Sequence, residues 1–167
     1  MRTGFIYLLL LFFFSCQNGS EKNAPSARPD KVEMENLNRY LVQKDRERIL
    51  NYIERKGLEM SEAPTGFWFQ IFREGEGFFF TDGDTITIKY ECSLLDGTLC
   101  YSSEKLGPKV LILGKTGMEQ GMHEGLRLLK PGAEAIFIMP PFLAYGFKGD
   151  GKMIPPRSVI VYHINIL

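Results

Sequence analysis

The stretch Leu143-Ala144-Tyr145-Gly146-Phe147-Lys148-Gly149-Asp150-Gly151-Lys152-Met153-Ile154-Pro155-Pro156-Arg157-Ser158-Val159-Ile160-Val161-Tyr162 decides how the rest of the chain reads. It opens on an aromatic before a glycine, continues as a polar glycine-rich loop, and ends in a Met-Ile-Pro-Pro arm that enters an apolar strand. The prolines fix φ and push Ile154 towards an extended backbone. A flap of this design can hang apolar side chains and a tyrosine hydroxyl over a hollow.

Beyond the flap, Ser158 to Leu167 reads as a closing strand with Ile160, Tyr162, Ile164 and Ile166 on one face. Before it, Ala133 to Met139 is another strand, ended by Pro140-Pro141. Met118, Met122, Leu126 and Leu129 recur at helical spacing, which predicts a short amphipathic helix stopped at Lys130-Pro131-Gly132. Val110 to Leu113 is a short apolar strand. Ile86, Ile88, Tyr90, Cys92 and Leu94 alternate with polar residues, the pattern of a half-buried strand. Asp96-Gly97 predicts a two-residue hairpin turn. Counted from that turn, Ser93 faces Cys100 and Cys92 faces Tyr101. Cys92 and Cys100 then lie on opposite sides of the sheet and are expected as free thiols. Phe67 to Phe72 is a further, aromatic-rich strand. Antiparallel strands with one single-striped helix imply an α+β fold, a curved sheet wrapped over that helix.

From Lys31 to Lys56 the composition is helical, with Leu37, Tyr40 and Leu41 on one face and Ile49, Tyr52 and Ile53 on another. The reading leaves one long helix or two broken near Lys44-Asp45, with Gly57 as the stop. This charged extension, residues 31–57, either packs on the domain at 64–167, pairs with a second copy to make a homodimer through residues 31–56, or acts as a solvated spacer.

Residues 1–15 read as a signal peptide: Arg2, then an uncharged apolar run from Phe5 to Phe14, too short for a spanning helix of about twenty residues. Ser15-Cys16 at the end of that run resembles a lipobox, with Phe13 where the usual pattern has Leu. Cys16 is therefore the expected lipidation site, and residues 16–30 the lipidated tether. The expected location is outside the cytoplasm, as an exported, membrane-anchored lipoprotein of the cell envelope. Without residues 1–15, whose one charge is Arg2, the chain carries 19 basic and 20 acidic residues, a net −1. That balance gives no basic face for nucleic acid.

Several chemistries lack their motif. Gly114-Lys115-Thr116 ends like a phosphate loop, but Lys109 stands where that loop needs glycine. No Cys-x-x-Cys or His-x-x-x-His spacing offers a metal site, and the Asp-Gly turns at 82–84 and 148–151 lack calcium-loop spacing. No serine sits in a nucleophile elbow. The expected chemistry uses no cofactor, no metal and no covalent intermediate.

From Ile86 to Leu167 the order of landmarks resembles the FKBP family of prolyl isomerases. These are the Tyr90 strand, Asp96-Gly97, Ser102-Ser103, Leu113-Gly114-Lys115, Gly121-x-x-Glu124-Gly125, Lys130-Pro131-Gly132, Ala144-Tyr145-Gly146 and Ile154-Pro155-Pro156. The resemblance implies an apolar substrate pocket floored by Met122 and walled by Tyr90, Cys100, Met118, Ile154 and Tyr162, with Tyr101 and Met153 counted to it. It also implies catalytic roles for the Tyr145 hydroxyl, for the backbone N–H of Glu119, whose side chain then need not matter, and for Tyr90. Three positions depart from the family pattern: Met122 replaces Trp, Cys100 replaces Phe, and Tyr101 replaces Asp, which removes a polar ligand contact. Those changes imply weaker macrolide binding and modest turnover. With the lipobox and the helical extension, the chain is similar to the gliding-motility-associated prolyl isomerase lipoproteins of gliding bacteria.

The implied activity suits a site without acids, bases or nucleophiles. Rotating a peptide bond meets a barrier of about 18–20 kcal/mol, and no bond breaks. Twisting the imide removes resonance and lowers its polarity, so a dry cavity favours the twisted form, and fixed donors hold the flanking carbonyls. The expected substrates are proline-containing segments of exported proteins. The competing expectation is a holdase or binding module of the same fold with negligible turnover.

Overall fold

The computed structural model describes residues 30–115 and 117–167. The expected signal peptide, Cys16 and almost all of the expected tether lie outside the described residues. One helix, α1 (Lys31–Lys56), precedes the sheet and is unbroken through Lys44-Asp45. Its start is a capping box: Asp30 accepts from the Glu33 N–H at 2.7 Å, and Glu33 accepts from the Asp30 N–H at 3.3 Å. It stops at Gly57, which turns left-handed at φ 62°.

The strands are β1 (Ser61–Glu62), β2 (Trp68–Arg73), β3 (Thr85–Leu94), β4 (Leu99–Ser102), β5 (Lys109–Ile112), β6 (Glu134–Met139) and β7 (Ile160–Ile166). All their pairings are antiparallel, in the order β1-β2-β6-β7-β3-β4. β5 shares the free edge of β3 with β4, pairing its first residues from Thr85↔Ile112 to Ile88↔Lys109. A one-turn helix α2 (Ser103–Leu106) follows β4, and α3 (Gln120–Leu126) lies between β5 and β6. The helix expected from Met118 is therefore shorter, with Glu119 as its extended N-cap and Met118 ahead of it.

The inner face of the sheet closes over α3. Ile86, Ile88 and Cys92 of β3, Ala135, Phe137 and Met139 of β6, and Ile160, Tyr162, Ile164 and Ile166 of β7 share one core with Met122, Leu126 and Leu129. Gly125 brings α3 close: a Cβ there would lie 2.4 Å from the Phe137 ring. The outer face is covered too. Trp68, Ile136, Ile138, Val159 and Val161 pack with Ile49 and Tyr52, so the second half of α1 docks on the back of the sheet. The first half does not follow, for Leu37 and Tyr40 stay exposed. Arg46 strengthens the docking through a 2.5 Å bond to Glu62 of β1.

The hairpin register departs from the expectation. Leu94 N–H donates to the Thr98 carbonyl, so the loop is Leu95-Asp96-Gly97, three residues long, with Gly97 at φ 92°. A three-residue loop with a left-handed glycine carries a bulge. Cys92 pairs with Tyr101 as expected, but Ser93 pairs with Leu99, leaving Cys100 as the extra residue. Cys100 thereby turns into the same core as Cys92, not to the opposite side, and both thiols are free.

Candidate functional site

The flap begins where β6 ends. Pro140-Pro141 forces a 3-10 turn (Pro141–Leu143), and the Gly146 N–H returns to the Pro141 carbonyl at 2.7 Å. Tyr145 sits in that turn. The polar loop is tied by one carboxylate: Oδ1 of Asp150 accepts from the N–H groups of Lys152 and Ile154, each at 2.8 Å. A Cβ at position 149, where φ is +68°, would lie 2.2 Å from the Ile154 carbonyl oxygen, so only glycine closes the loop there. The far end is fixed at Arg157, a left-handed non-glycine at φ 55°. Its N–H donates to the Gly146 carbonyl at 3.0 Å, and its guanidinium donates to Asp45 of α1 at 2.5 Å. The N-terminal helix thus braces the base of the flap.

Between the flap and β3 lies a cleft of about 300 Å³ lined by Tyr90, Tyr101, Lys109, Tyr145, Asp150, Lys152 and Tyr162. Four of the residues named from sequence therefore meet around it. The rings of Tyr90 and Tyr162 stand 6.3 Å apart. Met122 and Ile154 are buried in the core, 3% and 1% exposed, and do not line this cleft. Met118 is half-buried against the same core. Cys100 is buried beside the flap, its Sγ 3.6 Å from the Met153 carbonyl, while the Met153 side chain is exposed. Met122, Cys100, Met118 and Ile154, expected as floor and walls of an apolar pocket, thus lie in or against the core, and the cleft itself is bordered by the charged Lys109, Asp150 and Lys152.

Two acidic side chains were missed. Tyr101 donates its hydroxyl to Oδ2 of Asp150, so a flap carboxylate reaches the wall where the sequence had suggested one was lost. Burial alone would raise the Asp150 carboxyl, but the Tyr101 hydroxyl and the Ile154 and Lys152 N–H groups outweigh it and hold it below its ordinary value. An aspartate between glycines in a turn is an available signal for such a cap. Glu119 is the second: Tyr162 donates to its Oε1 at 3.1 Å, so the acidic side chain, read as dispensable, belongs to the site. The oxygens of Tyr145 and Tyr162 are 3.2 Å apart. Burial, with the Glu119 carboxylate nearby, raises both phenols well above their ordinary range, so they stay neutral donors. Among the described residues no three His, Cys, Asp or Glu side chains converge as metal ligands.

A sequence profile of the FKBP-type peptidyl-prolyl cis-trans isomerases matches residues 79–167. The chain is 36% identical over 103 residues to the probable FKBP-type peptidyl-prolyl cis-trans isomerase FkpA of Neisseria meningitidis, covering 62% of this chain and 38% of that protein. With FkpA of Escherichia coli K12 it shares 33% identity over 116 residues, covering 70% and 42%. It thus spans less than half the length of these relatives. The crystal structure of Escherichia coli FkpA superposes with a TM-score of 0.65 at 27% identity over 84% of this chain and 73% of that one. The structure of AtFKBP13 gives 0.60 at 29%, over 64% and 95%. The chain belongs to the family of FKBP-type peptidyl-prolyl cis-trans isomerases.

Proposed function

We propose that the protein catalyses cis–trans isomerisation of Xaa-Pro bonds in exported proteins, held to a membrane through lipid on Cys16. The observation that carries this reading is the Tyr145 hydroxyl at an aromatic-walled cleft, beside a flap tied shut by Asp150. In this reading the proline ring lies against Tyr90 and Tyr162, and Tyr145 donates to a carbonyl flanking the twisting bond. The Glu119 N–H is the second donor, and Cys100, Tyr101, Met118, Met122, Met153 and Ile154 shape the apolar surround. The donors serve the twisted imide by orientation. Among the described residues no helix is long and apolar enough to cross a membrane; in this reading the anchor is the lipid. A role in gliding motility and a homodimer through residues 31–56 complete the proposal.

The test is isomerisation of a Xaa-Pro tetrapeptide by the mature chain. Catalysis above the uncatalysed rate is expected, with weak inhibition by macrolides; a flat trace rejects the enzyme. Radiolabelled palmitate should enter the wild type but not Cys16→Ala. Deleting the gene in a gliding host should slow spreading, and a dilution series in sedimentation should reveal a monomer–dimer equilibrium.

One observation favours a second reading, a holdase. An apolar groove of about 290 Å³ runs between Leu41 and Val42 of α1 and Phe142 and Phe147 of the flap, with exposed Val32, Leu37 and Tyr40 beyond it. Suppression of client aggregation that survives blockage of the Tyr145 cleft would support that reading.

A further inference from the structure

The polar groups of the cleft form a line with a direction. Glu119 stands at its inner end, Tyr162 follows with a 3.1 Å bond to Oε1, and Tyr145 follows at 3.2 Å from Tyr162. A carboxylate only accepts, and each phenol has one hydrogen to give. The Tyr162 hydrogen therefore goes to Glu119. What remains on Tyr162 facing Tyr145 is a lone pair, so the Tyr145 hydrogen has inward acceptors in that oxygen and in the Glu119 carboxylate beside it. The cleft consequently meets the oxygen of Tyr145 rather than its hydrogen.

The surroundings hold this direction in place. Tyr162 is 3% exposed, so the core around it holds its ring in place. Its ring is fixed on β7 between Cys92 and Phe137, its partners across the sheet. Glu119 is fixed as the residue that opens α3, its carbonyl accepting from the N–H groups of Met122 and His123. Its second oxygen, Oε2, is buried and has no partner of its own among the described residues, so the two phenols are the donors within reach of this carboxylate. Both phenols are raised, which keeps their protons on them.

We propose that Glu119 and Tyr162 are positioning residues that hold the Tyr145 hydrogen away from the substrate. A substrate carbonyl must take that hydrogen from these inward acceptors before Tyr145 can serve it. The pair thus acts as a brake built into the isomerase site. This rests on the reading of Tyr145 as a donor to substrate.

The experiment is a double-mutant cycle on the full mature chain, reading kcat and KM separately for Xaa-Pro tetrapeptide isomerisation. Tyr162→Phe combined with Glu119→Leu removes both inward acceptors and strands neither. It should raise kcat/KM by roughly three- to tenfold, the worth of one neutral hydrogen bond. Tyr145→Phe should lower kcat/KM, and in the Tyr145→Phe background that gain should vanish. A purely structural role for the pair would not make its effect depend on Tyr145. If the double variant does not fold, Glu119→Leu alone, which frees the Tyr162 hydrogen for the Tyr145 oxygen, decides. A folded variant no faster than wild type, with Tyr145→Phe still slow, overturns the brake alone. A Tyr145→Phe variant as fast as wild type overturns the donor role beneath it and the brake together.

Discussion

The contact between Asp45 of α1 and Arg157 at the base of the flap makes an asymmetric prediction. Asp45 is almost wholly enclosed, its side chain 6% exposed, whereas the Arg157 side chain is 27% exposed. Replacing Asp45 by Ala removes a charge-assisted bond, about 1.5–3 kcal/mol, but leaves a guanidinium that water can reach. Replacing Arg157 by Ala strands a buried carboxylate, the situation that costs about 3–5 kcal/mol. Arg48, 3.7 Å from Asp45 and more than half exposed, recovers part of that loss. Arg157→Ala should therefore cost about 3 kcal/mol and Asp45→Ala about 2. The double variant should cost less than the sum, because the second removal leaves nothing stranded. Urea denaturation followed by tryptophan fluorescence suits the measurement, since Trp68 lies in the cluster that α1 covers. Equal costs for the two single variants, or both within 0.5 kcal/mol of wild type (a cutoff of roughly the size of ordinary surface effects), would refute the argument.

Four further outcomes follow from the same geometry. Gly125→Ala sets a Cβ 2.4 Å from the buried Phe137 ring; overpacking of about 1–3 kcal/mol, offset by up to about 1 kcal/mol of helix preference, should lower the urea midpoint. Met122→Ala, at a site 3% exposed, should destabilise by about 2–5 kcal/mol in the same assay. Tyr101→Phe releases the Asp150 carboxylate on one side while its bonds to the Lys152 and Ile154 N–H groups remain, so KM should rise by roughly two- to fivefold with kcat little changed. Burial pushes the Cys92 thiol from 9.0 up to about 12. Below pH 9 folded and unfolded chains both carry that proton; from 9 to 12 the unfolded chain alone loses it, so stability falls through this window as pH rises. Cys92→Ala should flatten that slope in denaturation titrations.

The parts of the fold that face water on one side were readable in advance. β3 alternates cleanly because its odd residues stay partly wet, and Ala-Tyr-Gly with Ile-Pro-Pro marks the flap from its backbone needs alone. β6 hides its pairing: Ala135 to Met139 is buried on both faces, so no alternation betrays that Ile136 and Ile138 meet a helix. The docking of α1 was one of three outcomes left open: Ile49 and Tyr52 were legible as a face, but so narrow a stripe, with the paired Asp45 between charged residues, did not say what covers it. The bulge at Cys100 was missed because Asp96-Gly97 looks like a two-residue turn, while Leu95 joins it to make three. Of the candidate site, Tyr90, Tyr101, Tyr145 and Tyr162 could be named as neighbours through family likeness. The side chain of Glu119 could not, because its partner Tyr162 stands 43 residues away and that likeness points only to the backbone at 119.

One strand carries two unrelated neighbourhoods. On β7, Tyr162 looks into the cleft while Val161 beside it supports the back of the sheet under α1. Sliding that strand by a single residue would bury the phenol beneath the helix and hand the site a valine. The β3 and β6 ladders on either side, with Cys92 and Phe137 both opposite Tyr162, are what forbid the slip. Chemistry in this molecule is thus secured by strand register as much as by the residues at the cleft.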